Sequence, residues 1–278
     1  MNWGAVFAKL VDPYDIKARL FPGLLVLLPA IAFLALLYGH SNPVLATLAS
    51  VLSTCGGPYL LASFVRTWGQ RAQEALYKKW GAQPTTILLR HRDQRLSNQT
   101  KLRYQHLATS KLGVTMPSRD QEADDTVAAD HAYVAAADAL RPLTVDQKKY
   151  PFVFKELVAY GYNRNAYGVR WLGAGVAMVV IVATLAHAGV LQTTAPLFRT
   201  QNLLSLKFAH VLTLALSVSL LLMWLFHFTR KTVEQAGFSY ALRLWESLET
   251  IGKKSAPKRP IKKAEQSTGN LDTPEDTI

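Results

Sequence analysis

The chain has 278 residues, 50% hydrophobic and 18% charged, with a formal net charge of +12 and a single cysteine. One cysteine excludes an intrachain disulfide framework. The apolar fraction alone fits soluble and membrane proteins alike, but four long runs without Asp, Glu, Lys or Arg, at 20–38, 43–65, 171–191 and 208–226, exclude an ordinary soluble domain.

In chain order, 1–19 reads as a cytoplasmic amphipathic lead-in. Trp3, Val6, Phe7 and Leu10 recur at helical spacing, and Lys17 and Arg19 sit at the membrane edge. The first apolar run is too long for a signal-peptide core and has no small-x-small cleavage site after it, so it is expected to remain as a span. Spans one and two form a hairpin over 20–65, joined by GHSN, which carries no cation. Cys55 lies within span two and is read as a packing residue. Gly56, Gly57 and Pro58 are expected to break or kink that span.

Residues 66–170 form the expected cytoplasmic ligand-sensing domain, with 17 Lys and Arg. Its charge alternates: 66–111 has ten basic and two acidic residues, 119–146 two and seven, 148–170 five and one. Leu61, Val65, Trp68, Ala72, Leu76 and Trp80 keep one helical face, which predicts that span two runs on into the cytosol until Gly81 and Pro84 stop it. A short helix and a loop are expected over SNQTKLRYQHLATSKLGVTMPS. An alanine-rich helix should follow, with Val127, Ala128, His131, Val134 and Leu140 near one face. No sustained period-two alternation predicts strands.

Spans three and four make a second hairpin over 171–228. A cytoplasmic helix over 229–252 should carry the stripe Ala241, Leu244, Trp245, Leu248 and Ile251 and pack on the extension of span two. The tail 253–278 has almost no apolar content and is expected to be disordered. Cations concentrate in the centre and the tail, whereas the two short loops have none and two. The expected orientation therefore puts both termini and the centre in the cytoplasm of a multi-pass bacterial inner-membrane protein. The fold class expected is all-α, two transmembrane hairpins with a helical domain inserted between them.

Two residue sets are candidate sites. The segment Arg90, Arg92, Arg95, Lys101 and Arg103 with Tyr104 groups cations around an aromatic ring, as phosphates and stacked bases require. Attraction to anionic lipid heads is the alternative. Lys155, Tyr162, Arg164 and Asn165, around YGYNRN, extend the ligand-binding set. Thr47, Ser50 and Thr54 of span two, and His210, Thr213 and Ser217 of span four, form stripes that suit either a pore lining or helix packing. No enzyme, metal site or cofactor is expected. His91, Arg92, Asp93 and Asn98 match a kinase catalytic loop, but its glycine-rich loop, strand lysine and DFG are missing.

LYKKWGAQPTTILLRHRDQRLSNQTKLRYQHL followed by KYPFVFKELVAYGYNRNAYGVRWLG resembles a family of bacterial four-span membrane proteins, departing from it at Tyr162 and Ala166, where Phe and Leu are expected. That family is similar to membrane effectors of anti-phage defence, of which the Hailong system is an example. The resemblance implies a pore-like or membrane-disrupting effector. A nucleotide or single-stranded DNA oligomer made by a partner nucleotidyltransferase would control it. Four spans are too few to enclose a wide pore, so a symmetric homo-oligomer is expected, a tetramer foremost. The competing class is a non-conducting scaffold for anionic lipid or a cytosolic protein.

Overall fold

The computed structural model describes residues 12–39, 57–192 and 194–252. Their regular structure is all helical, with no strand among them. The helices are α1 (Pro13–Tyr38), α2 (Gly57–Trp80), α3 (Pro84–Leu89), α4 (Asn98–Leu112), α5 (Arg119–Asp124), α6 (Thr126–Leu143) and α7 (Pro151–His187). α8 (Phe208–His227) and α9 (Arg230–Glu246) complete the order.

Three of them, α1, α7 and α8, are long and apolar enough to cross a membrane. Most of the run 43–65 lies outside the described residues, as do Thr47, Ser50, Thr54, Cys55, the tail 253–278 and most of the lead-in. The end of that run opens α2, which continues without a break to Trp80. Gly81 then stops it with φ +82°, a left-handed conformation open to glycine. The buried face of α2 is Ala62, Val65, Gly69 and Leu76, within one residue of the periodicity read from sequence.

α7 spans 37 residues without a break. At about 1.5 Å per residue it is about 55 Å long, against about 30 Å of hydrocarbon. The helix runs through residue 170 without interruption, so the apolar segment that starts at Trp171 and the residues before it are a single rod. α8 does not run on into the helix that follows it. α8 ends in a π-helical turn over Met223–His227, Phe228 leaves helical geometry, and Thr229 caps a separate α9 through a reciprocal bond with Thr232.

α1 enters behind Asp12, whose side chain accepts from the Tyr14 N–H, with Pro13 in the first turn. Pro22 lacks the N–H that would bond the Ala18 carbonyl four residues back. That turn, Ile16–Leu20, is π-helical. Asn165 of α7, fully buried, donates its Nδ2 to the Ala18 oxygen at 2.6 Å instead.

One hydrophobic core joins Leu88 and Leu89 of α3, Tyr104 and Ala108 of α4, one face of α6 and the stripe Ala241, Leu244, Trp245 and Leu248. The stripe thus lies in one core with residues of α3, α4, α6 and the start of α7, while α2 meets α9 elsewhere, where Leu76 packs with Val233. Trp245 Nε1 donates to the Thr85 carbonyl at 3.1 Å, which fixes α9 against α3. The buried face of α6 is Ala129, Tyr133, Ala136, Ala137 and Leu140, while Val127 is exposed. Small alanines let neighbouring backbones approach closely here, and this outweighs the larger Val127.

α2 and α7 cross at glycines. A Cβ on Gly168 would lie 2.8 Å from the Gly69 Cα and N, and one on Gly69 would lie 1.9 Å from Asn165 Oδ1. A side chain at 168 therefore has to push the helix backbones away from each other. Gly168→Val is expected to cost about 1–3 kcal/mol, seen as a lowered Tm of the detergent-purified protein. Gly175→Ala, where a Cβ meets open space, should leave Tm unchanged or slightly raised. An unchanged Tm for Gly168→Val would refute the crossing.

Candidate functional site

The loop after α3 carries His91, Arg92 and Asp93, and buried groups from other helices fix its shape. Lys101 of α4 is 1% exposed, and its ammonium donates to the carbonyls of Arg90, His91 and Asp93. Gln105, one turn on, donates to the Leu89 carbonyl at 2.9 Å. Glu122 of α5, also buried, accepts the His91 N–H at 2.7 Å, the Arg92 N–H at 3.3 Å and the Tyr133 hydroxyl at 2.7 Å. Arg92 Nη1 reaches the same carboxylate at 3.2 Å.

Burial works against charge on Glu122. The Tyr133 hydroxyl, two backbone N–H groups and the Arg92 guanidinium outweigh it and hold the carboxyl below the ordinary glutamate range. Burial, then donation to Glu122, pushes the Tyr133 phenol well up.

An open cleft of about 680 Å³ lies between this loop, α4 and the start of α5. His91, Arg92, Gln94, Asn98, Gln105, His106, Arg119 and Gln121 supply its polar wall, and Leu102, Met116 and Pro117 its apolar one. A second hollow of about 260 Å³ adjoins it and shares His91, Arg92 and Arg119. Ser118 and Gln121 make a capping box that starts α5 and places Arg119 at the rim. Two guanidiniums, two imidazoles and several amides can bind a phosphate and hydrogen-bond a base edge, with an apolar wall for the base face.

Of the ten ligand-binding residues expected, the cleft lining includes Arg92. Arg90 points away and grips Asp130 with Nε at 2.8 Å and Nη2 at 2.5 Å. Arg95 pairs with Asp93 and Glu234 and lies over the Phe238 ring. Arg103 pairs with Glu249 at 2.8 Å. Lys101 and Tyr104 are buried, which removes them from any ligand-facing surface. Lys155 is exposed on α7 outside the cleft. Tyr162 packs on Phe228. Arg164 and Asn165 belong to the α2–α7 junction, where Arg164 Nη1 donates to Gln73 Oε1 at 2.7 Å. Within the protomer, then, Arg90, Arg103 and Arg164 are engaged by Asp130, Glu249 and Gln73, all distant in sequence, and only Arg92 of the expected set lines the cleft. Gln94, Gln105, Arg119 and Gln121 were missed. Arg119 had a signal, as a lone cation at the start of an acidic segment.

On α8, His210, Thr213 and Ser217 are buried inside the protomer, where α8 packs on α7 and α1. His210 Nε2 meets His187 Nδ1 at 3.0 Å. Thr213 donates to the Ala209 carbonyl. This stripe is a helix-packing face in the protomer, not an open lumen. Among the described residues no group of three or more His, Cys, Asp or Glu is placed to hold a metal.

No family model, no curated protein and no solved structure matches the chain.

Glu122 carries the architecture of the cleft. Its folded pKa is depressed, so the stability it adds is present above the ordinary glutamate value of about 4.3 and is lost as pH falls through the lower folded value. Glu122→Gln is expected to cost about 1.5–3 kcal/mol at neutral pH and to flatten the acid limb of the stability profile. Denaturation followed at pH 7 and below pH 4 checks this. Parallel acid limbs for the two proteins would assign the loss to another group.

Proposed function

We propose that the chain is a four-span bacterial inner-membrane effector, pore-like or membrane-disrupting. A nucleotide or short single-stranded nucleic acid held in the His91–Arg92–Arg119 cleft would control it, as in anti-phage defence. In this reading both termini face the cytoplasm and protomers form a symmetric oligomer. The conducting path lies between protomers, since the small-residue stripe of α8 is inside each one.

One observation carries the reading. α7 is unbroken from Pro151, beside the cytoplasmic core, to His187 at the far end of span three. Tyr150 and Val153 at its start belong to the same core as α4 and α6, and α4 forms one wall of the cleft. A ligand that shifts α4 against α6 tilts the base of α7, and a rigid helix carries that tilt into the bilayer. The break at Phe228 and Thr229 lets span four move separately from α9.

Arg119 is exposed and forms no ion pair among the described residues. Arg119→Ala is expected to weaken binding of ATP or a labelled single-stranded oligodeoxynucleotide by about 10- to 100-fold, the worth of a charge-assisted hydrogen bond, without lowering Tm. Fluorescence anisotropy at two salt concentrations reads this. In dye-loaded proteoliposomes, either ligand should change leakage for wild type but not for Arg119→Ala at the same concentration. Binding without any change in leakage would favour the scaffold reading; no binding of either probe would end the sensor reading.

A further inference from the structure

We propose that the inner-leaflet end of α1 and α2 holds one anionic phospholipid, by its headgroup phosphodiester, in a pocket between Arg19 and Arg66. A small pocket of about 80 Å³ lies there, lined by Asp15, Ile16, Arg19, Tyr59, Ser63 and Arg66. It has room for a phosphate group and not for a whole nucleotide. Its position is the level where the first apolar run starts and where α2 passes from apolar residues to Arg66. There, acyl chains meet headgroups.

Three observations converge. Arg19 Nε is buried with no hydrogen-bond partner among the described residues, while Nη1 holds Asp15. A buried guanidinium N–H left without an acceptor is costly, and a phosphate oxygen in the pocket would satisfy it. Arg66 is exposed and forms no ion pair among the described residues. Two guanidiniums against one carboxylate leave one positive charge, which matches a phosphodiester. Finally, the pocket wall from Ile16 to Leu20 is the π-helical turn that Pro22 imposes on α1, a distortion frequent at functional sites. The Tyr59 ring and Ser63 hydroxyl, one turn apart on α2, add an amphipathic wall suited to the interface.

The same turn includes Ala18, whose carbonyl is bonded to Asn165 of α7. A lipid on Arg19 therefore sits one residue from the contact that ties span one to the long helix. The consequence is a bilayer-composition input to the effector. The inference uses the membrane placement of α1 and α2 from the proposed function but not the nucleotide cleft, so nucleotide binding to Arg119 variants reads that proposal separately.

The test is native mass spectrometry of the delipidated full-length protein, titrated with phosphatidylglycerol or phosphatidylcholine. The expected result is one preferentially retained phosphatidylglycerol per protomer. Arg66→Gln and Arg19→Gln should each weaken it about 10-fold or more. Arg66 is exposed, so Arg66→Gln should leave Tm unchanged, which keeps the test valid if Arg19→Gln fails to fold. Equal retention of phosphatidylcholine, or unaltered phosphatidylglycerol retention in Arg66→Gln, would overturn the proposal. Complete displacement of the lipid by millimolar inorganic phosphate would also overturn it, showing a soluble-anion site instead.

Discussion

The bond from Asn165 Nδ2 to the Ala18 carbonyl, 2.6 Å long and fully buried on the asparagine side, is the contact on which the arrangement of α1, α2 and α7 depends. Pro22 creates the need for it by removing the donor that a regular helix would supply. A buried carbonyl left open would cost about 1–3 kcal/mol. Gly69 creates the room, because any Cβ there would meet Asn165 Oδ1. Gly168, one turn along α7 from Asn165, then brings the α2 backbone into contact. Three helices are thereby held at one level. Arg164 extends the junction by donating Nε to Asn165 Oδ1 and Nη1 to Gln73, and Tyr160 shares Gln73 while meeting the Tyr77 hydroxyl at 2.9 Å.

This junction separates elements that move together from elements that can move apart. α2 and α7 are unbroken helices, locked by polar groups on one side of the glycine crossing and by apolar packing of Val65 and Val169 on the other. α8 and α9 meet instead at a non-helical Phe228, with a capped start at Thr229. One helix pair is thus stiffly joined and the other is jointed. The cleft loop is held just as firmly, by Lys101 beneath and Glu122 behind, so a ligand would meet a preformed wall.

Much of the helical plan was legible because it rests on local periodicity and breakers. The stop of α2 at Gly81, the helix from Asn98 to Leu112 and the α9 stripe all followed from residues within a few positions of one another. The face of α6 did not follow. Ala129, Ala136 and Ala137 are buried because neighbouring helices come close, and a hydrophobicity pattern ranks Val127 above them. The cation cluster misled for a related reason. Counting charge along 66–111 finds ten bases and two acids, but Arg90 meets Asp130, Arg92 meets Glu122 and Arg103 meets Glu249, all from later segments. Linear charge density cannot show which cations have partners.

The sequence by itself determined that the chain is helical, that its long runs are apolar enough to cross a membrane, and that a basic stretch separates them. Those properties come from length, hydropathy and composition, which need no knowledge of neighbours. Only the tertiary structure decided which polar groups are free. It moved Lys101, Asn165 and Arg164 from candidate ligand contacts to structural bonds, and placed His210, Thr213 and Ser217 inside the protomer. It also brought Gln105, His106 and Arg119 to one cleft with Arg92. The physical reason is desolvation: a buried polar group must find a partner, and that partner is set by which helices cross, not by which residues are adjacent in the chain.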